Sequence, residues 1–268
     1  MKAYFTTFLK YKYLLHNLIS RDLKVKYRRS TLGLLWSVLN PLLMAIVISI
    51  VFQNFFKFAV PNFAVYYLTG SLIFNFMNEA TSSAMVSIVG NAPLIKKVYI
   101  PKCIFPLEKV MFAFVNMLFS MIALVIMMGV TKLGIIGSAA DLNISWTIVL
   151  FFIPMLYTLV FSLGLGLILA AVNVYFRDVG HLYSVWTMAW MYLTPIIYPM
   201  DIVEGTWVMN VIRLNPMYYF VTYFRDVVTN GTVPGLKTNL LCMGISLLFL
   251  VLGLWVFKKK QDRFILFI

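Results

Sequence analysis

Residues 110–131 read VMFAFVNMLFSMIALVIMMGVT and contain no charged side chain. A helix of about 20 apolar residues crosses the hydrocarbon core of a bilayer, so this run is long enough to span one. We expect its helix to begin earlier, near Cys103. Five further uncharged runs of spanning length lie on either side of it: Leu32–Phe56, Phe58–Asn78, Leu142–Phe176, Val179–Met200 and Thr238–Phe257. The pattern predicts an all-α polytopic membrane protein with six transmembrane helices.

The composition of the 268 residues supports the membrane class. Hydrophobic residues make up 62% and charged residues only 12%, against roughly 45–50% and about 25% in soluble domains. A soluble fold would lack the polar side chains to cover its surface, and a disordered chain would not carry so much apolar side chain. We therefore expect a single membrane domain over residues 1–268. Within it, residues 1–31 form an interfacial helix, 32–257 the six-helix region and 258–268 a tail.

The net charge of +13 is explained by membrane topology. Lysine and arginine concentrate in residues 1–31, 96–102 and 258–263. With six crossings these three segments lie on one side, and an excess of cations marks the cytoplasmic side. This predicts a multi-pass protein of the cell membrane with both termini in the cytoplasm, and it removes the need for a nucleic-acid partner.

The N-terminal segment has the pattern of an amphipathic helix. Leu15, Ile19 and Leu23 recur every four residues, and Arg21 and Lys24 lie on another face. Such a helix lies in the plane of the membrane surface. It is either a simple anchor or a functional surface, which would be a docking site for a cytoplasmic partner or a cationic site for an anionic lipid headgroup.

The first predicted inside loop, NAPLIKKVYIPK at residues 91–102, places two prolines around a basic and apolar segment. Proline near the start of a helix is favourable, and Pro101 is expected to end one. A short helix lying parallel to the membrane would fit a groove of a partner protein. The alternative is an ordinary cytoplasmic loop.

Between the fifth and sixth spans, the run Leu214–Phe224 is too short to cross and predicts re-entrant helices on the outer face. The segment is rich in aromatic residues, which form either an interfacial belt or the lining of a path along which sugars stack. In the membrane runs, Ser162, Gly166 and Ala170 repeat at the four-residue spacing of helix contacts. Glu79 and Glu108 lie near the ends of apolar runs, where structural pairing is the favoured interpretation.

Several functions leave no trace in the sequence. There is no GxxxxGK[ST] phosphate loop, so this chain has no site of that kind for ATP. The two cysteines and two histidines show no metal-binding spacing, and no catalytic cluster stands out. We expect no catalytic residue, no metal and no cofactor bound by this chain.

Five segments carry a resemblance to a known family: SRDLKVKYRRSTLGLLWSVLNP at residues 20–41, the loop at 91–101, FRD at 176–178, TPIIY at 194–198 and LNPMYY at 214–219. In the same order, they resemble segments of the type-2 ABC exporter permeases for polysaccharides, which include exporters of O-antigen, capsule and teichoic acid. The resemblance covers nearly the whole chain. It implies a homodimer of permeases that works with two copies of a separate ATPase subunit, which uses ATP and magnesium.

The resemblance also implies roles for individual residues. The ATPase would contact the N-terminal helix and the first inside loop, called the coupling helix, through Arg21, Asp22, Lys24, Asn91, Pro93, Lys96, Lys97, Tyr99, Ile100 and Pro101. Aromatic residues of the outer segment would line the exit of the channel, with Tyr198, Tyr218, Tyr219, Phe220 and Tyr223 as candidates.

The leading hypothesis is ATP-driven export of a lipid-linked polysaccharide. Arg28 and Arg29 are candidates for the pyrophosphate of the lipid carrier, because arginine binds phosphate groups strongly and in a bidentate manner. Three alternatives stay open. They are an ABC-type permease for a drug, another small molecule or a lipid; an ATP-independent channel; and a membrane-embedded enzyme of lipid-linked sugars.

Overall fold

The computed structural model describes residues 2–28, 32–54, 60, 62–135 and 142–268, and every regular element within them is helical. The α-helices are α1 (Lys2–Tyr27), α2 (Trp36–Asn54), α3 (Phe63–Gly90), α4 (Ala92–Lys97), α5 (Ile104–Lys132), α6 (Phe152–Tyr175), α7 (Val179–Tyr192), α8 (Trp207–Leu214), α9 (Pro216–Val228) and α10 (Leu236–Lys260). Short 3-10 turns lie at Gly33–Leu35, Trp146–Phe151, Met200–Ile202 and Gln261–Leu266. The predicted all-α class is confirmed.

Four helical stretches of the described chain are long and apolar enough to cross a membrane: Gly33–Phe52, Ile104–Lys132, Trp146–Tyr175 and Leu236–Leu266. Each coincides with a predicted run. The helix α5 begins directly after Cys103, as expected. The chain therefore has the helices of a multi-pass membrane protein, and the count of six crossings stays a prediction.

The second predicted run differs from the helix that forms there. Residues 58, 59 and 61 lie outside the described residues, and α3 then runs from Phe63 to Gly90, well past the expected end at Asn78. At 28 residues it is about 42 Å long. The charge of Glu79 ends the apolar run but not the helix, because glutamate is a favourable residue within a helix.

The fifth predicted run, Val179–Met200, is helical only as far as Tyr192. The 14 residues of α7 give about 21 Å, which is shorter than a typical hydrocarbon core of about 30 Å. Pro195 explains the end, because proline disfavours helical backbone at the preceding residue and cannot donate a helical hydrogen bond. The chain turns there, and the Ile196 N–H donates to the Thr194 carbonyl at 2.7 Å.

Small residues allow α6 to pack closely on two neighbours. A Cβ on Gly164 would overlap the backbone of α10, and one on Gly253 would overlap the backbone of Gly164. A Cβ on Gly166 would lie 2.9 Å from the Cβ of Ala84 in α3. The helix contact predicted for the small-residue repeat is therefore confirmed at Gly166.

Candidate functional site

The helix α4 occupies the place of the predicted short helix, and local chemistry sets its ends. At the end of α3, both the backbone N–H and the side-chain Nδ2 of Asn91 donate to the Ser87 carbonyl, at 3.2 and 2.8 Å. Pro93 lies in the first turn of α4, where no intrahelical donor is needed. Val98 leaves the helix in extended backbone.

One side of α4 packs on a hydrophobic cluster, and its other side is exposed. A hydrophobic cluster, here named the α4 cluster, packs under it with the buried members Ile88, Ile95, Phe105, Leu167, Ala170, Ala171, Val174, Phe257 and Phe264. Ile100 packs against this cluster, and Pro101 is partly exposed. Lys96 and Lys97 are exposed, and Tyr99 is 96% exposed. The loop thus presents two cations and an aromatic ring from a fixed base, an arrangement suited to contact with another protein.

The helix α1 is seated on α5 by an apolar contact and an ion pair. Leu15 and Leu18 cluster with Ile104. Asp22 accepts hydrogen bonds from Lys109 of α5 and, at 2.9 Å, from Arg21 Nε. Burial acts to raise the pKa of the Asp22 carboxyl, but its two cationic partners outweigh burial and hold this pKa below the usual value. Of the predicted ATPase contacts, Asp22 therefore faces α5, and its partner Arg21 keeps half of its side chain exposed.

A second link joins α1 to three other helices. Lys26 Nζ lies 2.8 Å from Glu79 Oε1 of α3, and Asn116 Nδ2 of α5 donates to Glu79 Oε2 at 2.9 Å. Ser37 of α2 in turn donates to Asn116 Oδ1 at 3.1 Å. The structural pairing predicted for Glu79 is confirmed.

Glu108 is also paired, but incompletely. Its side chain is 1% exposed, and its Oε2 lies 3.3 Å from Lys109 Nζ. Its Oε1 is buried and has no hydrogen-bond partner among the residues that the structure describes. Lys109 thus serves two carboxylates, Asp22 and Glu108, which makes it the central cation of the contact between α1 and α5.

Cationic side chains of α1 surround an open concavity of about 770 Å³, lined by Asn17, Ser20, Arg21, Lys24, Val25 and Arg28. Arg28 is exposed, whereas Arg29 lies outside the described residues. Arginine and lysine groups at such a surface can bind phosphate oxygens. The position of Arg28 is therefore compatible with the predicted headgroup contact.

The segment between α7 and α10 contains two short helices that meet at Asn215. At 8 and 13 residues, α8 and α9 are about 12 and 20 Å long, too short to span a bilayer. Asn215 Oδ1 accepts from Trp190 Nε1 at 2.5 Å and from the Met217 N–H at 2.9 Å. Its Nδ2 donates to the Leu193 carbonyl and to Thr194 Oγ1, at 3.1 and 2.8 Å. This one amide caps α9 and ties it to the end of α7.

Arg225 of α9 fixes this helix to α3. The side chain is buried, with its Cζ 3.6 Å from the centre of the Tyr66 ring. Its donors reach the Pro195 carbonyl at 2.7 Å, the Tyr66 carbonyl at 3.1 Å and Thr69 Oγ1 at 3.3 Å. An interfacial arginine has the same sequence pattern, so no signal in the sequence distinguishes this buried role.

The predicted aromatic lining separates into two groups. Tyr198, Tyr218 and Tyr219 are partly exposed, and the rings of the latter two lie 5.1 Å apart. Phe220 and Tyr223 are 0% and 1% exposed and belong to the hydrophobic core. The helical period turns these two towards the interior, so they cannot line a path on the surface of this chain, and the prediction is corrected for them.

Comparison with known proteins identifies the family. Residues 13–229 match the family described as ABC-2 type transporter. The chain belongs to this family. It is 30% identical over 247 residues to the O-antigen export system permease protein RfbA of Klebsiella pneumoniae, with 91% of each chain covered. The protein of the same name from Myxococcus xanthus is 28% identical over 256 residues, with 95% of each chain covered.

A capsule relative extends the comparison. The capsule polysaccharide export inner-membrane protein CtrC of Neisseria meningitidis serogroup A is 26% identical over 253 residues, covering 90% of this chain and 89% of that one. The family match and these permease names indicate a transport subunit of a multi-pass kind rather than an enzyme. The resemblance found in the five sequence segments is thereby confirmed.

Proposed function

We propose that this chain is the transmembrane subunit of an ATP-driven exporter of a lipid-linked polysaccharide, such as an O-antigen, a capsule or a teichoic-acid-like polymer. The permease works as a homodimer with six crossings in each chain and both termini in the cytoplasm. Two copies of a separate ATPase subunit bind ATP and magnesium, and this chain binds no cofactor.

The observation that carries the proposal is the similarity over about nine-tenths of the chain to permeases named for O-antigen and capsule export. The geometry supports the part played by an ATPase. Lys96, Lys97 and Tyr99 project from α4, while Ile95 holds the helix on its cluster. A surface that must receive a force needs both an exposed contact and a firm base.

The proposed cycle uses the two ends of the bundle. ATP hydrolysis in the partner pushes on α4, and the two permeases rock to open a path between them. Arg28 and Arg29 attract the pyrophosphate of the lipid carrier. The glycan then slides past Tyr198, Tyr218 and Tyr219, where many weak stacking contacts allow a long polymer to keep moving.

The test is co-purification of this chain with a candidate ATPase subunit, followed by ATPase measurements in lipid with and without a lipid-linked glycan. A stable complex whose ATPase is stimulated by the glycan lipid supports the proposal. Absence of a complex argues against it and favours a channel or an enzyme.

A second candidate is export of an apolar small molecule or a lipid by the same kind of machine. It is favoured by an apolar groove of about 490 Å³ between α6, α7, α8, α9 and α10, whose lining includes Trp186, Trp190, Leu214 and Phe249. Its volume falls in the range of about 300–1,000 Å³ typical of small-molecule sites. Stimulation of the ATPase by small apolar compounds, lost in Trp186→Ala, with no response to glycan lipid, would favour this candidate.

A further inference from the structure

Residues 261–268 fold back onto the region that supports α4. After α10, the chain forms a 3-10 turn at Gln261–Leu266, and Phe264 in this turn is 0% exposed. Its ring makes edge-to-face contacts with Phe257, at 5.3 Å between centroids, and with Tyr175 of α6, at 6.1 Å. The turn is therefore packed into the fold and is not a free tail.

Two hydrogen bonds fasten this turn from different helices. Lys102, which lies between α4 and α5, donates from Nζ to the Gln261 carbonyl at 2.6 Å. Tyr175, at the end of α6, donates from its hydroxyl to the Lys260 carbonyl at 3.1 Å. The turn thus joins the segment that follows α4 to the ends of α6 and α10.

The turn and α4 also share a hydrophobic base. Phe264 and Ile95 belong to the same α4 cluster, and Ile95 is the one buried residue within the six residues of α4. An isolated helix of this length is unstable, so its position depends on the packing beneath it. Phe264 adds a buried ring to that cluster from a distant segment of the chain.

We propose that the turn Gln261–Leu266 is a brace that holds α4 in position, with Phe264 and Lys102 as positioning residues for force transfer. A push on the exposed side of α4 reaches α6 and α10 through this brace, in addition to the direct connections to α3 and α5. The functional part rests on the proposed role of α4 as the contact for an ATPase.

The first test uses the two native cysteines as reporters in the full chain. Cys103 packs against the α4 cluster, whereas Cys242 is buried in the larger core. Phe264→Ala should speed alkylation of Cys103 by N-ethylmaleimide by at least about tenfold, because loss of a buried ring promotes local opening. Cys242 should stay protected, and Ile265→Ala, at a half-exposed neighbour, should leave both rates unchanged.

An unchanged rate at Cys103 in Phe264→Ala overturns the brace. If both cysteines become reactive, the variant has lost its fold, and Lys102→Met then decides. This variant keeps the aliphatic stem and removes the ammonium, and with it the bond to Gln261 and the cation contact with the Phe264 ring at 5.9 Å. Faster labelling of Cys103 alone supports the proposal, and an unchanged rate overturns it.

The second test measures polymer exported per ATP hydrolysed by the reconstituted permease–ATPase complex. Phe264→Ala should lower this ratio by about three- to tenfold while the ATPase stays bound, a size typical of single changes in a coupling network. Phe264→Leu keeps the apolar bulk and should restore most of the ratio. An unaltered ratio in Phe264→Ala overturns the proposal. If the wild-type complex moves no polysaccharide, the proposed function fails instead, and cysteine labelling still tests the brace.

Discussion

Towards its two ends, α3 holds one short helix, α9, and one long helix, α1, in opposite ways. At its first turns, Tyr66 and Thr69 bind the buried Arg225 of α9 through carbonyl and hydroxyl groups and an aromatic ring. Nearer its other end, Glu79 holds α1 through Lys26, and both side chains of that pair are about one-third exposed. The helix α9 is fixed by buried hydrogen bonds, whereas α1 is held by an apolar contact on α5 and by ion pairs within reach of water.

This difference indicates that α9 is attached rigidly to α3, whereas the attachment of α1 can be adjusted. Buried donors and acceptors are costly to separate, because each unpaired group loses its solvation. Partly exposed ion pairs contribute little and are screened by salt, so they can be broken and remade. We infer that α9 keeps a constant position during transport and that α1 can shift against α5.

The largest effect is expected at the rigid end. Arg225→Ala should lower the free energy of unfolding by about 3 kcal/mol, because the three hydrogen bonds and the ring contact of a buried cation are lost together. The measurement is unfolding in detergent followed by circular dichroism. Arg213→Ala, at an exposed cation of α8, is the matched control. Equal stability of the two variants would contradict the rigid attachment of α9 through Arg225.

The second-largest effect is expected for reversal of the charges on α4. Lys96→Glu with Lys97→Glu should lower polymer export per ATP by about tenfold, within the range of coupling between linked sites. The permease itself should stay as stable as wild type, because both side chains are exposed. Lys237→Glu, an exposed lysine at the far end of α10, is the control, and normal export by the double variant would exclude α4 as the contact.

The ion pair between Asp22 and Lys109 should contribute about 1 kcal/mol to the seating of α1. A double-mutant cycle of Asp22→Ala and Lys109→Ala would measure it through the rate of tryptic cleavage within α1. Because the pKa of Asp22 is held below its ordinary value of 3.8, the stabilisation is complete above that pH. It is lost as the pH falls further through the lowered pKa. Additive effects of the two changes would show that the pair is uncoupled.

The smallest effect is expected for Lys26 and Glu79, about 0.5 kcal/mol. Lys26→Ala should speed cleavage of α1 at low salt, and the difference should shrink at about 1 M salt, where the Debye length is about 3 Å. The destabilisation by Arg225→Ala should change little with salt. A strong salt dependence of Arg225→Ala would remove the distinction between the two ends.

Sequence patterns predicted the positions of the helices better than the contacts between them. The proline positions predicted the short helix after Asn91, and the length of the run Leu214–Phe224 predicted re-entrant helices too short to span. The structure has the helix α4 at the first place and α8 and α9 at the second. Even the break at Asn215 has a sequence signal, because asparagine before proline is a favourable start for a helix. The early end of α7 also has a sequence signal, Thr194-Pro195. The prediction of a full span rested instead on the length of the uncharged run.

The roles of single side chains were predicted less well. Arg225 and Asp22 are charged residues beside apolar runs, and the sequence pattern is the same whether such a side chain faces water or a neighbouring helix. Phe220 and Tyr223 share the aromatic composition of Tyr218 and Tyr219, but the rotation of α9 buries the first pair. Assignments of this kind require the position of the facing helix.

The sequence by itself determined the all-α membrane class, the helical runs and the family, because apolar length, proline breaks and ordered motifs are properties of contiguous residues. Only the tertiary structure decided that Lys109 of α5 pairs with Asp22 of α1, that Arg225 fixes α9 to α3 and that Phe264 shares the α4 cluster with Ile95. These contacts join residues about 80 to 170 positions apart. Such contacts depend on how helices pack in three dimensions, and no periodicity along one helix records which neighbour it will meet.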